Sequence, residues 1–390
     1  MTEMVYGTGT SRQIEPILSK WLHTVDRWGV FCVCALFLIG LLLGLAASPP
    51  LAAKNGHEPF HYVSKQVLFG SIAIFTMLIM SALSKDSVRR ISVVLFFAFF
   101  VLLAGLPLWG TDFGKGATRW YSFGFGSFQP SEFLKPFFIV VVAWLVSSSQ
   151  KINGPPGKAI ALLFTVLVVA FLVLQPDFGQ AVLVLFGWGV IYFVAGAPFI
   201  LLLSTAGLVV IAGVFLYTTS EHFARRIDNF LISEVDPTTQ IGYASNAIRE
   251  GGFFGVGVGE GTVKWQLPDA HTDFIIAVAA EEYGLFLVLL IIALYVTFTI
   301  RSLHRLSKKK DPFVRLAGVG LTSIIAMQAM INLGVAVRLL PAKGMTLPFV
   351  SNGGSSLIAS GIAVGMLLVF TKARPQGEIR DLLVTKRTLK

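Results

Sequence analysis

Long apolar runs separated by short polar breaks recur through almost the whole chain, and their lengths give the first reading. Runs close to the roughly 20 residues that cross the hydrocarbon core of a bilayer lie at 29–48, 67–84, 91–110, 133–149, 158–175, 178–196, 198–217, 273–300, 316–337 and 354–372. They predict an all-α, polytopic membrane protein with ten transmembrane helices. The junctions Gln175-Pro176-Asp177 and Gly196-Ala197-Pro198 are tight, with a proline marking each break. The chain divides into an N-terminal segment, 1–28, a membrane domain, 29–372, and a C-terminal tail, 373–390. One polar stretch, about 218–272, is too long to be a mere connector. It predicts a large loop between the seventh and eighth helices, with an amphipathic pattern over 223–232 that suits a helix lying on the membrane surface.

Composition agrees with that pattern and removes one partner class. Of 390 residues, 55% are hydrophobic and 13% charged, against about 25% charged in soluble chains. A net charge of +10 could suggest nucleic acid, but the bases are spread over loops between apolar runs, which is an orientation signal instead, and no nucleic-acid partner is expected. If both termini are cytoplasmic, the inner loops hold most of the 31 Lys and Arg, including Lys85, Arg89 and Arg90, and the cluster from Arg301 to Arg315. The positive-inside rule therefore places both ends in the cytoplasm. A polar segment carrying Arg12, Lys20 and Arg27 precedes the first apolar run, so no cleavable signal peptide is expected. Cys32 and Cys34 point apart at i and i+2 on a helix and predict no disulfide.

The chemistry concentrates in residues 267–284. A loop carrying Asp269, His271 and Asp273 runs into an apolar segment that still holds Glu281 and Glu282. Ionisable groups at such a depth are costly and mark functional sites by default. On a helix, Asp273, Ala277, Ala280, Glu281 and Gly284 would share one small, acidic stripe. Other outer segments add cations and glycines. Residues 114–133 mix Gly, aromatics, Lys115 and Arg119, with Lys135 just beyond. Two readings stay open there: an aromatic belt with a turn at Gln129-Pro130 and Ser131 capping the next helix, or cations that meet an anionic headgroup. Residues 251–261 are glycine-rich but lack a nucleotide-loop ending or a preceding strand, so their glycines suit close backbone packing beside a ligand or another loop. Ser351 to Ser356 precede a helix whose N–H groups suit phosphate. Asp269, His271 and Asp273 alternate in a way that could hold a divalent ion, but the spacing is weak, and no tightly bound metal is expected.

Five ordered motifs then carry a resemblance. Lys115-Gly-Ala-Thr-Arg-Trp120, Gln129-Pro-Ser-Glu-Phe-Leu-Lys135, Gln175-Pro-Asp-Phe-Gly179, His271-Thr-Asp-Phe274 with Glu281-Glu282, and Gly353-Gly-Ser-Ser356 together resemble the SEDS family (shape, elongation, division and sporulation). Leu340-Pro-Ala-Lys-Gly-Met-Thr-Leu-Pro348 and Gly259-Glu-Gly-Thr-Val-Lys264 look more like its FtsW, divisome branch than its RodA, elongation branch. The resemblance implies a ten-helix peptidoglycan glycosyltransferase in the bacterial inner membrane at the division septum. Its substrate would be lipid II, polymerised at the outer face, and its partners a class B penicillin-binding protein and other divisome proteins. Carried over, it makes Asp273 the catalytic base toward the acceptor hydroxyl. Arg119, Lys135, Lys343, His271, Ser355 and Ser356 become candidates for the pyrophosphate or headgroup, and Asp177, Glu281 and Glu282 supporting acids. No tightly bound cofactor is implied, with Mg²⁺ or Mn²⁺ at most held loosely by the diphosphate. Asp177 also has a bland reading as a helix-start acid, and Glu281 or Glu282 as a partner for a base on a neighbouring helix. Asn352 departs from the family, which usually has Tyr there. Lipid II flipping or solute transport is the rival class, suggested by the buried acids. Against it stand the missing internal repeat and the gathering of polar residues toward one side. A non-catalytic divisome scaffold is a third class.

Overall fold

The computed structural model describes residues 21–373, apart from 22–23, 112–117, 124–125, 232–238, 268 and 342–343. Lys115, Lys343, nearly all of the N-terminal segment and the tail after Ala373 lie outside the described residues. The helices are α1 (Arg27–Lys54), α2 (His61–Ala82), α3 (Lys85–Trp109), α4 (Pro130–Ser148), α5 (Gly157–Leu174), α6 (Phe178–Val194), α7 (Phe199–Thr219), α8 (Glu221–Leu231), α9 (Gln240–Gly251), α10 (Ile275–Ser307), α11 (Pro312–Ala336) and α12 (Gly354–Thr371). Among the described residues, nine helices are long and apolar enough to cross a membrane; α6, at 17 residues, is the remaining apolar run and is shorter. This is a multi-pass membrane protein.

Each apolar run became a helix, but the loops carry more structure than their composition suggests. The 114–133 segment forms a small antiparallel hairpin, β1 (Tyr121–Phe123) with β2 (Gly126–Phe128). The long loop between α7 and α10 holds α8, where an amphipathic helix is predicted, and also α9, which the pattern does not reveal. Helix α4 starts at Pro130, whose fixed φ suits the first helical position. Its N-cap is Gln129, and the Ser131 hydroxyl donates to Asp177 instead of capping the helix.

Helices α4 and α12 form the centre, with nearly all of their residues buried, while α7 faces outward along its length. Helix α12 lies against α2, where Gly361 brings its backbone onto that of Ala73 with no room for a Cβ. Without a hydrophobic drive between helices in lipid, such close approach is what holds them. At the predicted cytoplasmic end, Arg301 (2.7 Å) and Arg305 (3.4 Å) of α10 both meet the buried Asp26.

Candidate functional site

Asp273 is not on the helix. The N–H groups of Thr272, Asp273 and Phe274 all donate back to the carbonyl of Asp269, which adopts φ +55°. Asp tolerates this left-handed conformation better than most residues. The resulting tight turn delays α10 until Ile275, so the predicted acidic stripe does not begin at Asp273.

The stripe is also broken below. Gly284 takes φ +74°, ψ −173° inside α10, a conformation that favours glycine. The glycine-rich loop docks in that break. Leu285 N donates to Gly252 O (3.0 Å), Phe286 N to Phe253 O (3.3 Å) and Val256 N to Glu281 O (2.9 Å). The glycines thus pack against a helix of the same chain. Glu281 and Glu282, both essentially fully buried, fasten the returning strand of the loop. Glu281 accepts from the N–H groups of Val263 (2.7 Å) and Lys264 (3.0 Å). Glu282 accepts from Gly259 N and pairs with the buried Lys264 ammonium. Glu282 does find a base, but it comes from the loop and not from a neighbouring helix.

Around the Asp273 turn, donors arrive from two other elements. Asn352 N donates to His271 O (2.9 Å), Ser351 Oγ to Thr272 O (2.5 Å), and Asn332 Nδ2 of α11 to Asp273 O (3.0 Å). Asn352 also reaches α2, donating through Nδ2 to Tyr62 O (2.8 Å), while the Tyr62 ring lies 5.0 Å from that of His271. Gly344, at φ +63°, passes so close that a Cβ there would stand 3.6 Å from Asp273 Oδ2.

A second polar group lies across α4. Lys135 is 4% exposed; its ammonium pairs with Glu132 (2.9 Å) and donates to Gln328 Oε1 (3.1 Å) of α11. Gln180 of α6 donates to Glu132 in turn. Pro136 has no N–H to offer the Glu132 carbonyl one turn back, which loosens α4 at this point. Asp177, the N-cap residue of α6, makes no side-chain cap and accepts instead from Gln129 Nε2 (3.1 Å) and Ser131 Oγ (3.2 Å). Arg119 donates to the carbonyls of Gln175 (3.2 Å) and Pro176, where carbonyls left over at the end of α5 attract a cation.

This second group reaches the chain segment that follows Gly344. Gln328 bonds Lys135 and donates to Thr346 O (3.0 Å), Thr346 Oγ1 lies 2.6 Å from Ser356 Oγ, and Ser355 Oγ accepts from Gln129 N (3.3 Å). Lys135, Ser355 and Ser356 are therefore buried and engaged within the protein, not loose at the surface. Among the described residues, no three His, Cys, Asp or Glu side chains gather as a metal site. Sequence reasoning named Gln129 and Glu132 only as part of a motif and missed Gln180, Gln328 and Asn332. The signal for the last two was present, as amides inside an apolar run.

His271 stands apart by its protonation. Burial pushes its imidazole down to about 4, against the upward pull of Asp269. Its Nδ1 is buried without a hydrogen-bond partner among the described residues. In the unfolded chain the group titrates near 6.5. Between those values only the unfolded state takes up the proton, so stability falls as pH drops below 6.5 and stops falling near 4. The expected loss is on the order of 2 kcal/mol by pH 5. Melting temperatures in detergent at pH 7 and pH 5 check this: His271→Gln should show a clearly smaller acid shift than the wild type.

With this geometry in hand, the likeness to known proteins is decisive. The family model for FtsW, RodA and SpoVE, described as a cell cycle protein family, matches residues 27–375. The chain belongs to this family. A relative from Caulobacter vibrioides named probable peptidoglycan glycosyltransferase FtsW is 40% identical over 359 residues, covering 92% of each chain. A relative of the same name from Coxiella burnetii is 32% identical, covering 88% of this chain and 95% of the relative. Among solved structures, a chain of the one titled "Structural coordination of polymerization and crosslinking by a peptidoglycan synthase complex" superposes with a TM-score of 0.73 at 28% identity. The match covers 89% of this chain and 97% of that one. The rod shape determining protein RodA of Thermus thermophilus follows, with a TM-score of 0.64 at 26% identity over 89% of this chain and 96% of that one. The family model thus spans all of the apolar helices described in this chain.

Proposed function

We propose that this protein is a peptidoglycan glycosyltransferase that polymerises lipid II at the outer face of the bacterial inner membrane, at the division septum. The observation that carries the reading is the 40% identity over nearly the full length to a protein named for that activity. The chemistry available at the Asp273 turn supports it. The acceptor hydroxyl oxygen forms a bond to the anomeric carbon of the donor sugar as the bond from that carbon to the pyrophosphate oxygen breaks. Asp273 takes the hydroxyl proton, and undecaprenyl pyrophosphate leaves with the bonding electrons. A positioned base contributes about 10² to 10⁴ in rate. Growing charge on the leaving group calls for donors held in place beforehand; Arg119, Lys135, Lys343, His271, Ser355 and Ser356 are our candidates. Asp177, Glu281 and Glu282 serve by holding neighbouring groups.

Both termini lie in the cytoplasm in this reading, which puts the Asp273 turn outside. The partner is a class B penicillin-binding protein, with other divisome proteins around it, supported by the likeness to a chain of a synthase complex. Any Mg²⁺ or Mn²⁺ travels with the diphosphate. EDTA is therefore expected to slow polymer formation, added Mg²⁺ to restore it, and elemental analysis to find no stoichiometric metal on the desalted protein. The reading is tested by incubating the purified protein, alone and with a cognate class B partner, with lipid II and resolving products on a gel. Glycan ladders support it. Their absence, under conditions where a known polymerase makes them, contradicts it.

A further inference from the structure

Three consecutive carbonyls, those of His271, Thr272 and Asp273, each accept a hydrogen bond from outside their own turn. Two of the donors, Asn352 N and Ser351 Oγ, come from one short segment. The third is different in kind. Asn332 is 1% exposed on α11, and its single amide nitrogen bridges two segments, donating to Asp273 O (3.0 Å) and to Met345 O (2.6 Å). One NH₂ group has two hydrogens, and both are committed. Met345 follows Gly344, whose backbone runs beside the Asp273 carboxylate. The same amide therefore fixes where the Asp273 backbone sits and how closely the 344–345 backbone approaches the carboxylate. Its Oδ1 is buried with no hydrogen-bond partner among the described residues, so the side chain is held by its donor end alone.

We propose that Asn332 is a positioning residue for Asp273: it sets the carboxylate against the backbone of residues 344–345 and touches no substrate itself. This rests on the reading of Asp273 as the base. Misplacement of a reacting group by about 1 Å costs on the order of 10² in rate. Asn332→Ala removes both hydrogen bonds and is expected to lower kcat for lipid II polymerisation by roughly 10- to 100-fold, with KM and partner binding near wild type and a lowered melting temperature. Asn332→Ser, which keeps one donor, is expected to fall between the two. If Asn332→Ala does not fold, Asn332→Ser carries the test by the same criterion. A folded variant with wild-type kcat overturns the proposal, as does one in which KM rises while kcat stays unchanged. Asp273→Asn is run beside them. If it is inactive while the Asn332 variants turn over normally, the positioning role alone falls. If it retains full activity, the reading of Asp273 as the base falls and the positioning role with it.

Discussion

Lys264→Met is expected to cost the protein about 3–5 kcal/mol, the range for leaving one member of a buried ion pair without its partner. Lys264 and Glu282 are 4% and 1% exposed. After the substitution, among the described residues, the Glu282 carboxylate keeps only the Gly259 N–H. Because Glu281 and Glu282 together hold the loop into the break at Gly284, the damage should be local first: the 251–265 loop detaches from α10 before the membrane helices separate. Hydrogen exchange at Val256, Gly259 and Val263 should rise steeply while exchange within α4 and α12 stays slow. The double variant Lys264→Met with Glu282→Gln removes both charges and should recover most of the melting temperature, the sign of pairwise coupling. If the single and double variants are equally unstable, the ion pair is not what holds the loop.

The membrane helices were legible in the sequence because their signal is length and hydropathy, and every apolar run became a helix. The site was legible only as residue types. Asp273, Asp177, Lys135 and the Ser355-Ser356 pair stood out as polar groups beside apolar runs, yet their partners come from distant parts of the chain. Lys135 of α4 meets Gln328 of α11, and Asp177 meets Gln129. A period of 3.6 residues carries no information about such pairings. The same limit explains the stripe drawn from Asp273 to Gly284. It assumed an unbroken helix, whereas the turn closes by hydrogen bonds back to Asp269 O and the break at Gly284 by hydrogen bonds to a loop, neither of which the period sees. The helix α9 was hidden because a short helix built around Gly, Ala and Asn resembles a loop in composition.

Asp273→Asn is expected to have the largest effect on activity. The amide keeps the size and shape of the carboxylate, so the turn around Asp269 and the three clamped carbonyls, none of which uses the Asp273 side chain, should survive. It removes the base. Loss of a positioned base costs about 10² to 10⁴ in rate, whereas binding of the polyprenyl chain and partner should scarcely change. The central claim, that this carboxylate drives glycan polymerisation, is tested most directly by comparing wild-type and Asp273→Asn proteins, each purified with the class B partner, for glycan ladders made from lipid II. We expect a ladder from the wild type and none from the variant, with equal melting temperatures and equal recovery of the partner. Ladders of equal intensity from both would contradict the account.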